Sequence, residues 1–108
     1  MTAAAPVEVF AALGDRNRQR LLEELIAGRS SAADLASLLQ VTRQAVEKQL
    51  RILEHAGLVT PQRLGRRVSY RVRPERLADS AAWLAALADR WDRQLALVQA
   101  AAQSEGSD

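Results

Sequence analysis

Arginine is the residue type in this sequence with the most chemistry to offer. Between Thr42 and Arg76 lie nine cations (Arg43, Lys48, Arg51, Arg63, Arg66, Arg67, Arg71, Arg73 and Arg76) and three anions (Glu47, Glu54 and Glu75). The segment therefore carries +6 over 35 residues, while the other 73 carry −4, within a formal net charge of +2. Fourteen of the fifteen cations are Arg, whose planar guanidinium forks onto phosphate oxygens and base edges. A GC-rich coding bias would explain Arg in place of Lys, but not its crowding into one third of the chain. A basic segment in an otherwise acidic small domain is the electrostatic footprint of nucleic-acid binding.

Other chemistries lack their raw materials. The absence of cysteine removes disulfides, thiolate metal sites and cysteine nucleophiles. A single histidine, His55, leaves imidazole metal sites and charge-relay triads hard to build. There is no nucleophile elbow, no phosphate-cradling glycine loop and no set of paired metal ligands, so the sequence reads as a non-enzyme without metal or cofactor. With 108 residues, 48% hydrophobic and only four aromatics, it holds one small domain with an aliphatic core. No apolar run approaches the ~18–20 residues that span a bilayer. No secretion signal is evident at the N-terminus, so the expected location is the cytoplasm, with no membrane partner.

The elements that would position the arginines follow from periodicity. Residues 1–6 and 103–108 read as disordered ends around a single domain at 7–102. Val7 to Leu13 forms a short helix. Asp15 caps a second one over Arg16 to Ala27, with Leu21, Leu22, Leu25 and Ile26 as its apolar stripe and Gly28 as its stop. Ser30 or Ser31 caps a third, running to about Leu39, with Leu35, Leu38 and Leu39 facing inward. A turn of three residues, Gln40-Val41-Thr42, then leads into Arg43 to Ala56, where Thr42 is the cap and Val41 can staple onto Val46. This fourth helix buries Val46, Leu50 and Leu53 and closes at Gly57, with Leu58 folding back on Leu53. The period then changes to two. Val68, Tyr70 and Val72 alternate with Arg67, Ser69, Arg71 and Arg73, and Leu58 to Leu64 is the partner strand, joined through a II′ turn at Gly65-Arg66. Pro74 opens a last helix in which Leu77, Leu84, Trp91 and Val98 recur every seven residues.

Two helices joined by a three-residue turn and followed by a glycine-tipped hairpin describe a mainly α winged helix-turn-helix, ordered α-α-α-α-β-β-α. A helix about 10–12 Å across fits a DNA major groove roughly 12 Å wide. With Val46, Leu50 and Leu53 turned to the core, Thr42, Arg43, Gln44, Glu47, Lys48 and Arg51 line the free side of the fourth helix. Arg43 suits guanine, Gln44 adenine, and Glu47 the amino group of cytosine. Arg63, Arg66 and Arg67 of the wing would reach the neighbouring backbone or minor groove. Double-stranded DNA is the expected partner.

The residues also resemble a known family. The run from Phe10 to Leu22 (FAALGDRNRQRLL), the ADLA at 33–36, the run from Val41 to Val59 (VTRQAVEKQLRILEHAGLV) and the wing RLGRRVSYRV at 63–72 are similar to ArsR/SmtB-type bacterial repressors over roughly residues 7 to 100. The resemblance implies a homodimer formed through the first and last helices. It also implies a repressor, often acting on its own promoter, that releases DNA when an effector binds. Val7, Phe10, Leu77, Leu84, Leu87, Trp91, Leu95 and Val98 are the residues expected at that dimer interface. The departures from the family are chemical. Where its metal sensors carry thiolates on the third helix, this chain has Ser31, Ala33 and Ala36, which supply none. Asp79, Asp89 and Asp92 of the last helix come without a histidine. In the recognition helix, Glu47 and Gln49 replace a common Ser and His, so the preferred DNA sequence does not carry over. A cysteine-free branch that senses no metal fits best, with its effector unnamed.

Plainer readings stand beside these. His55 reads as a surface side chain suited to a helix C-terminus rather than a pH sensor. Glu47 is equally a specificity residue or an exposed helix former. Arg71, Arg73 and Arg76 read as solvated. The seven-residue stripe of the last helix is either internal core or a subunit surface; Trp and Leu on a terminal helix of so small a domain favour the surface. Trp83 and Trp91 could alternatively line an effector pocket between paired helices. A winged-helix protein-interaction module without DNA binding is the alternative function, and it would have lost the basic face that this chain keeps.

Overall fold

The computed structural model describes residues 6–105. Its elements run α1 (Val7–Leu13), α2 (Arg16–Ile26), α3 (Ala32–Leu39), α4 (Arg43–His55), β1 (Val59–Leu64), β2 (Arg67–Val72) and α5 (Pro74–Glu105). Order and type match the winged helix-turn-helix reading. Residues 1–5 and 106–108, expected as disordered ends, lie outside the described residues. Pro6 is fixed: its carbonyl accepts the Phe10 N–H at 3.1 Å and starts α1. At the other end, α5 runs to Glu105 rather than stopping near Ala102. Ala, Gln and Glu are strong helix formers, and no Gly or Pro intervenes to stop them.

Side-chain caps begin three of the helices. Asp15 accepts from the N–H groups of Asn17 (2.8 Å) and Arg18 (3.3 Å), Ser31 from Asp34 (3.1 Å) and Thr42 from Ala45 (3.1 Å). Each such cap is worth about 1 kcal/mol. At the end of α4, Gly57 takes φ +78° and the Leu58 N–H reaches the Leu53 carbonyl at 3.0 Å, with both leucines buried. The end of α3 makes the same closure without glycine: Gln40 adopts φ +57° and the Val41 N–H bonds the Ala36 carbonyl at 3.1 Å. A left-handed residue with a Cβ costs roughly 1–2 kcal/mol. The three-residue turn imposes it, because α4 must leave α3 at a sharp angle at once.

The core is aliphatic. Val9 of α1, Leu21 and Leu25 of α2, Leu35 of α3, Val46, Leu50 and Leu53 of α4, and Leu58 and Val59 are buried together. Two expected members are not. Ile26 is exposed at the last turn of α2, and Leu38 is exposed on α3. Both sit about 90–110° around their helices from the centre of the buried arc, beyond the reach of the apolar stripe.

The hairpin pairs Val59 with Val72, Pro61 with Tyr70, Arg63 with Val68 and Leu64 with Arg67. Gly65 at its tip has φ +66° while Arg66 stays out of the left-handed region, as a II′ turn requires. The wing is also tied to the body. The Tyr70 N–H donates to the Ser30 carbonyl at 2.8 Å, and Ser31 bridges Ser69. The segment before α3 thus acts as a short third partner of the hairpin.

Only the start of α5 belongs to this body. Ser80 is buried, Leu77 is half-buried against the core, and Trp83 meets Phe10 with ring centroids 5.6 Å apart. From Leu84 to Ser104 every residue is exposed. The radius of gyration is 20.2 Å. A globule of this length would have about 13 Å. The helix projects from the domain as a free rod.

Candidate nucleic-acid interface

The interface is built on α4. Its helical repeat places Val46, Leu50 and Leu53 in the core, so Gln44, Lys48 and Arg51 are held on the opposite face while Arg43 stands on the flank of the first turn, and all four are exposed. Glu47 is only partly exposed because it turns sideways. Its Oε1 accepts from Arg43 Nε at 3.0 Å, an i,i+4 ion pair along the surface. Thr42 is exposed, but its hydroxyl oxygen already caps the helix. Among the described residues, the Gln44 amide and the Lys48 ammonium have no partner and stand on an exposed helical face. Amide and ammonium donors so placed suit purine acceptors and phosphates.

The wing brings further cations to the same side. Arg66 and Arg67 line a hollow of about 280 Å³ together with Arg43, Val68 and the first turn of α3. Three guanidinium-bearing residues from two elements thus line one concave surface, with the Asp34 carboxylate at its α3 edge. Arg63 is not brought into this group. It pairs with Val68 in the hairpin, so it projects from the face of the ribbon opposite Arg67. Arg51 lies farther along α4, beside Glu54 and His55 at another hollow. Arg71 is exposed, and Arg73 pairs with Glu75 at 3.3 Å. That contact and the backbone around Glu75 hold its carboxyl below the ordinary value, the backbone hydrogen bond being the larger cause.

Tyr70 is a residue whose role at this surface the sequence did not reveal. It is half-buried at the root of the wing, packed against the core. Burial, then the carboxylates of Glu54 and Glu47, push its phenol above the usual value, while Arg51 pulls the other way. Tyr70 is therefore within electrostatic reach of the flank of α4 that carries Glu47 and Glu54. The alternation of β2 announced which face Tyr70 would take, but not its neighbours.

The expected subunit surface divides in two. Phe10 and Leu77 are partly buried within the chain itself. Val7 (67% exposed), Leu84, Leu87, Trp91 (69%), Leu95 and Val98 stand in solvent. Trp83 packs on Phe10 and Trp91 does not. Among the described residues no three His, Cys, Asp or Glu side chains come together in a way that could hold a metal ion. No described helix is long and apolar enough to cross a membrane.

Comparisons with known proteins agree with this geometry. Residues 13–62 match the model of a helix-turn-helix domain family. The chain is 43% identical over 63 residues to a Transcriptional repressor SmtB homolog of Synechocystis, a match covering 58% of this chain and only 48% of that protein. It is 34% identical over 108 residues to the HTH-type transcriptional regulator Rv2034 of Mycobacterium tuberculosis, covering 99% of this chain and 97% of that one. An ArsR-like transcriptional regulator from Rhodococcus superposes with a TM-score of 0.86 at 40% identity, over 91% of this chain and 90% of the other. The homodimeric winged helix-turn-helix DNA-binding domain Mb0332 of Mycobacterium bovis superposes at 0.61 with 27% identity, over 82% and 80%.

Proposed function

Since this chain belongs to the ArsR/SmtB family of winged helix-turn-helix transcriptional regulators, we propose that it works as a homodimeric repressor gripping an inverted-repeat operator through α4 and the wing. The observation that carries the reading is the bare polar face of α4, with Arg66 and Arg67 of the wing converging beside its first residue. Arg43, Gln44, Glu47 and Lys48 read base edges, with Thr42 and Arg51 at the margins of the same face. Arg66 and Arg67 hold phosphate, and Arg63 meets the strand on the far side of the ribbon. Phosphate contacts set the register and base contacts select the sequence.

Two copies are needed because one chain leaves Leu84, Leu87, Trp91, Leu95 and Val98 in water. Each large apolar side chain withdrawn from water gains roughly 1.5–3 kcal/mol. A second α5, with Val7 of each α1, covers the stripe. The homodimeric state of the Mycobacterium bovis domain supports a pairing of two chains. The two α4 helices then meet successive major grooves about 34 Å apart, so the operator is a two-fold repeat. Repression of the chain's own promoter is the simplest circuit, and its place of work is the cytoplasm. Gel-shift titration of the DNA upstream of its own gene against a shuffled duplex tests the reading. Tight binding to the first alone is the expected result; equal binding to both would refute sequence-specific regulation.

A further inference from the structure

Three arginines lie close together on α2, and only Arg18 is drawn into the fold. Arg16 and Arg20 are exposed, whereas the Arg18 side chain is 15% exposed. Its Nε donates to the Ala12 carbonyl at 2.7 Å and its Nη2 to the Ala11 carbonyl at 3.3 Å, both in the last turn of α1. Its Nη1 donates to Gln49 Oε1 of α4 at 2.9 Å and lies 3.8 Å from Asp15 Oδ2, at the cap of α2. One guanidinium thus joins α1, α2 and α4, and its bond to Gln49 ties residues 31 positions apart. The neighbouring Gln19 adds its Nε2 to the Leu13 carbonyl at 2.6 Å. The α1 terminus is therefore held by side chains of α2. Through Phe10 and Trp83, α1 is in turn joined to α5.

The physical need for such a link lies in the packing of α4. Its inner face is Val46, Leu50 and Leu53, and apolar contact is non-directional, so it resists roll about the helix axis only weakly. Gln49 lies on the flank between Val46 and Leu53, where a hydrogen bond acts at a lever arm from the axis. A planar, charged donor fork fixes direction as well as distance. Roll of α4 is the motion that would carry Gln44 and Lys48 sideways across a groove.

We propose that Arg18 and Gln49 form a latch that sets the roll of α4 against the α1–α5 strut, making Gln49 a positioning residue for DNA selectivity. Its DNA arm rests on the function proposed above; its geometric arm does not. The test uses Gln49→Met, which keeps length and loses the acceptor, and Gln49→Glu, which keeps an acceptor facing Arg18. In the first arm, affinities for the operator and for a shuffled duplex are measured with the melting temperature. In the second, spin labels on Glu8→Cys and Lys48→Cys, in a chain with no other cysteine, report the α1–α4 distance in doubly labelled protein diluted with unlabelled protein. Gln49→Met is expected to lose about tenfold in operator affinity, as for a charge-assisted hydrogen bond. Its shuffled-duplex affinity and salt slope stay as in the parent, its melting temperature falls by several degrees with the lost bond, and its label distances broaden. Gln49→Glu restores both parent readouts. A narrow, parent-like distance in Gln49→Met, or a Gln49→Glu that behaves as Gln49→Met does, overturns the latch. Broadened distances with selectivity intact overturn the link to selectivity. If the parent chain discriminates between no duplexes, the proposed function fails, and the distances still decide the latch.

Discussion

Arg66 and Gln44 contribute different parts of one contact, and single substitutions separate them. Arg66 is exposed at the wing tip and lines the hollow shared with Arg43. Arg66→Ala should weaken binding to every duplex alike and lower the slope of log affinity against log salt by about 1. Gln44 stands on the bare face of α4, so Gln44→Ala should cost roughly 1–3 kcal/mol on one base pair and leave the slope alone. Affinities over a panel of single-base operator variants, each at several salt concentrations, separate the two effects. The α4 face was readable in advance because Val46, Leu50 and Leu53 fix a helix by their spacing, and everything opposite follows. Alternation along the strand assigns Arg63 the face of the ribbon opposite Arg67. Arg18 was not readable, since nothing local separates it from Arg16 and Arg20. Only the arrival of α1 and α4 around it does.

At the scale of elements, the ends of helices decide where the functional faces point. Gly57 turns the chain from α4 into the wing at φ +78°, and a Cβ there would lie 3.0 Å from Arg76 Nε. The guanidinium can swing aside, so backbone strain dominates. Gly57→Ala should therefore lose roughly 1–2 kcal/mol, measured by urea unfolding. Glycine made that end legible, as Asp15 and Thr42 did the starts of α2 and α4. The end of α3 was not signalled in the same way, because Gln40 adopts the left-handed conformation without glycine's freedom and only the geometry of the turn demands it. Ile26 and Leu38 were overread for a related reason. An apolar residue next to a stripe looks like part of it until the width of the opposing helices is known. The pairing of Ser31 with Ser69 is long-range and leaves no local pattern.

For the whole molecule, the decisive feature is a rod of helix that one domain cannot cover. The described chain extends 76 Å along its longest axis, against 32 and 20 Å across. The seven-residue recurrence of Leu84, Trp91 and Val98 made the apolar stripe visible beforehand. Whether it was core or surface depended on how far α5 outruns the body, which only the fold displays. Trp91→Arg should give monomers at micromolar concentration in sedimentation. It should also cut operator affinity by about 10²–10⁴, the gain that linked binding sites provide, while the helical signal of each chain persists. The central claim is that two chains grip one duplex electrostatically and symmetrically. A protection assay on the DNA upstream of the chain's own gene, repeated at rising salt, tests it most directly. Two related protected tracts centred about 34 Å apart, fading steadily as salt rises, are predicted. A single tract, or protection indifferent to salt, would contradict it.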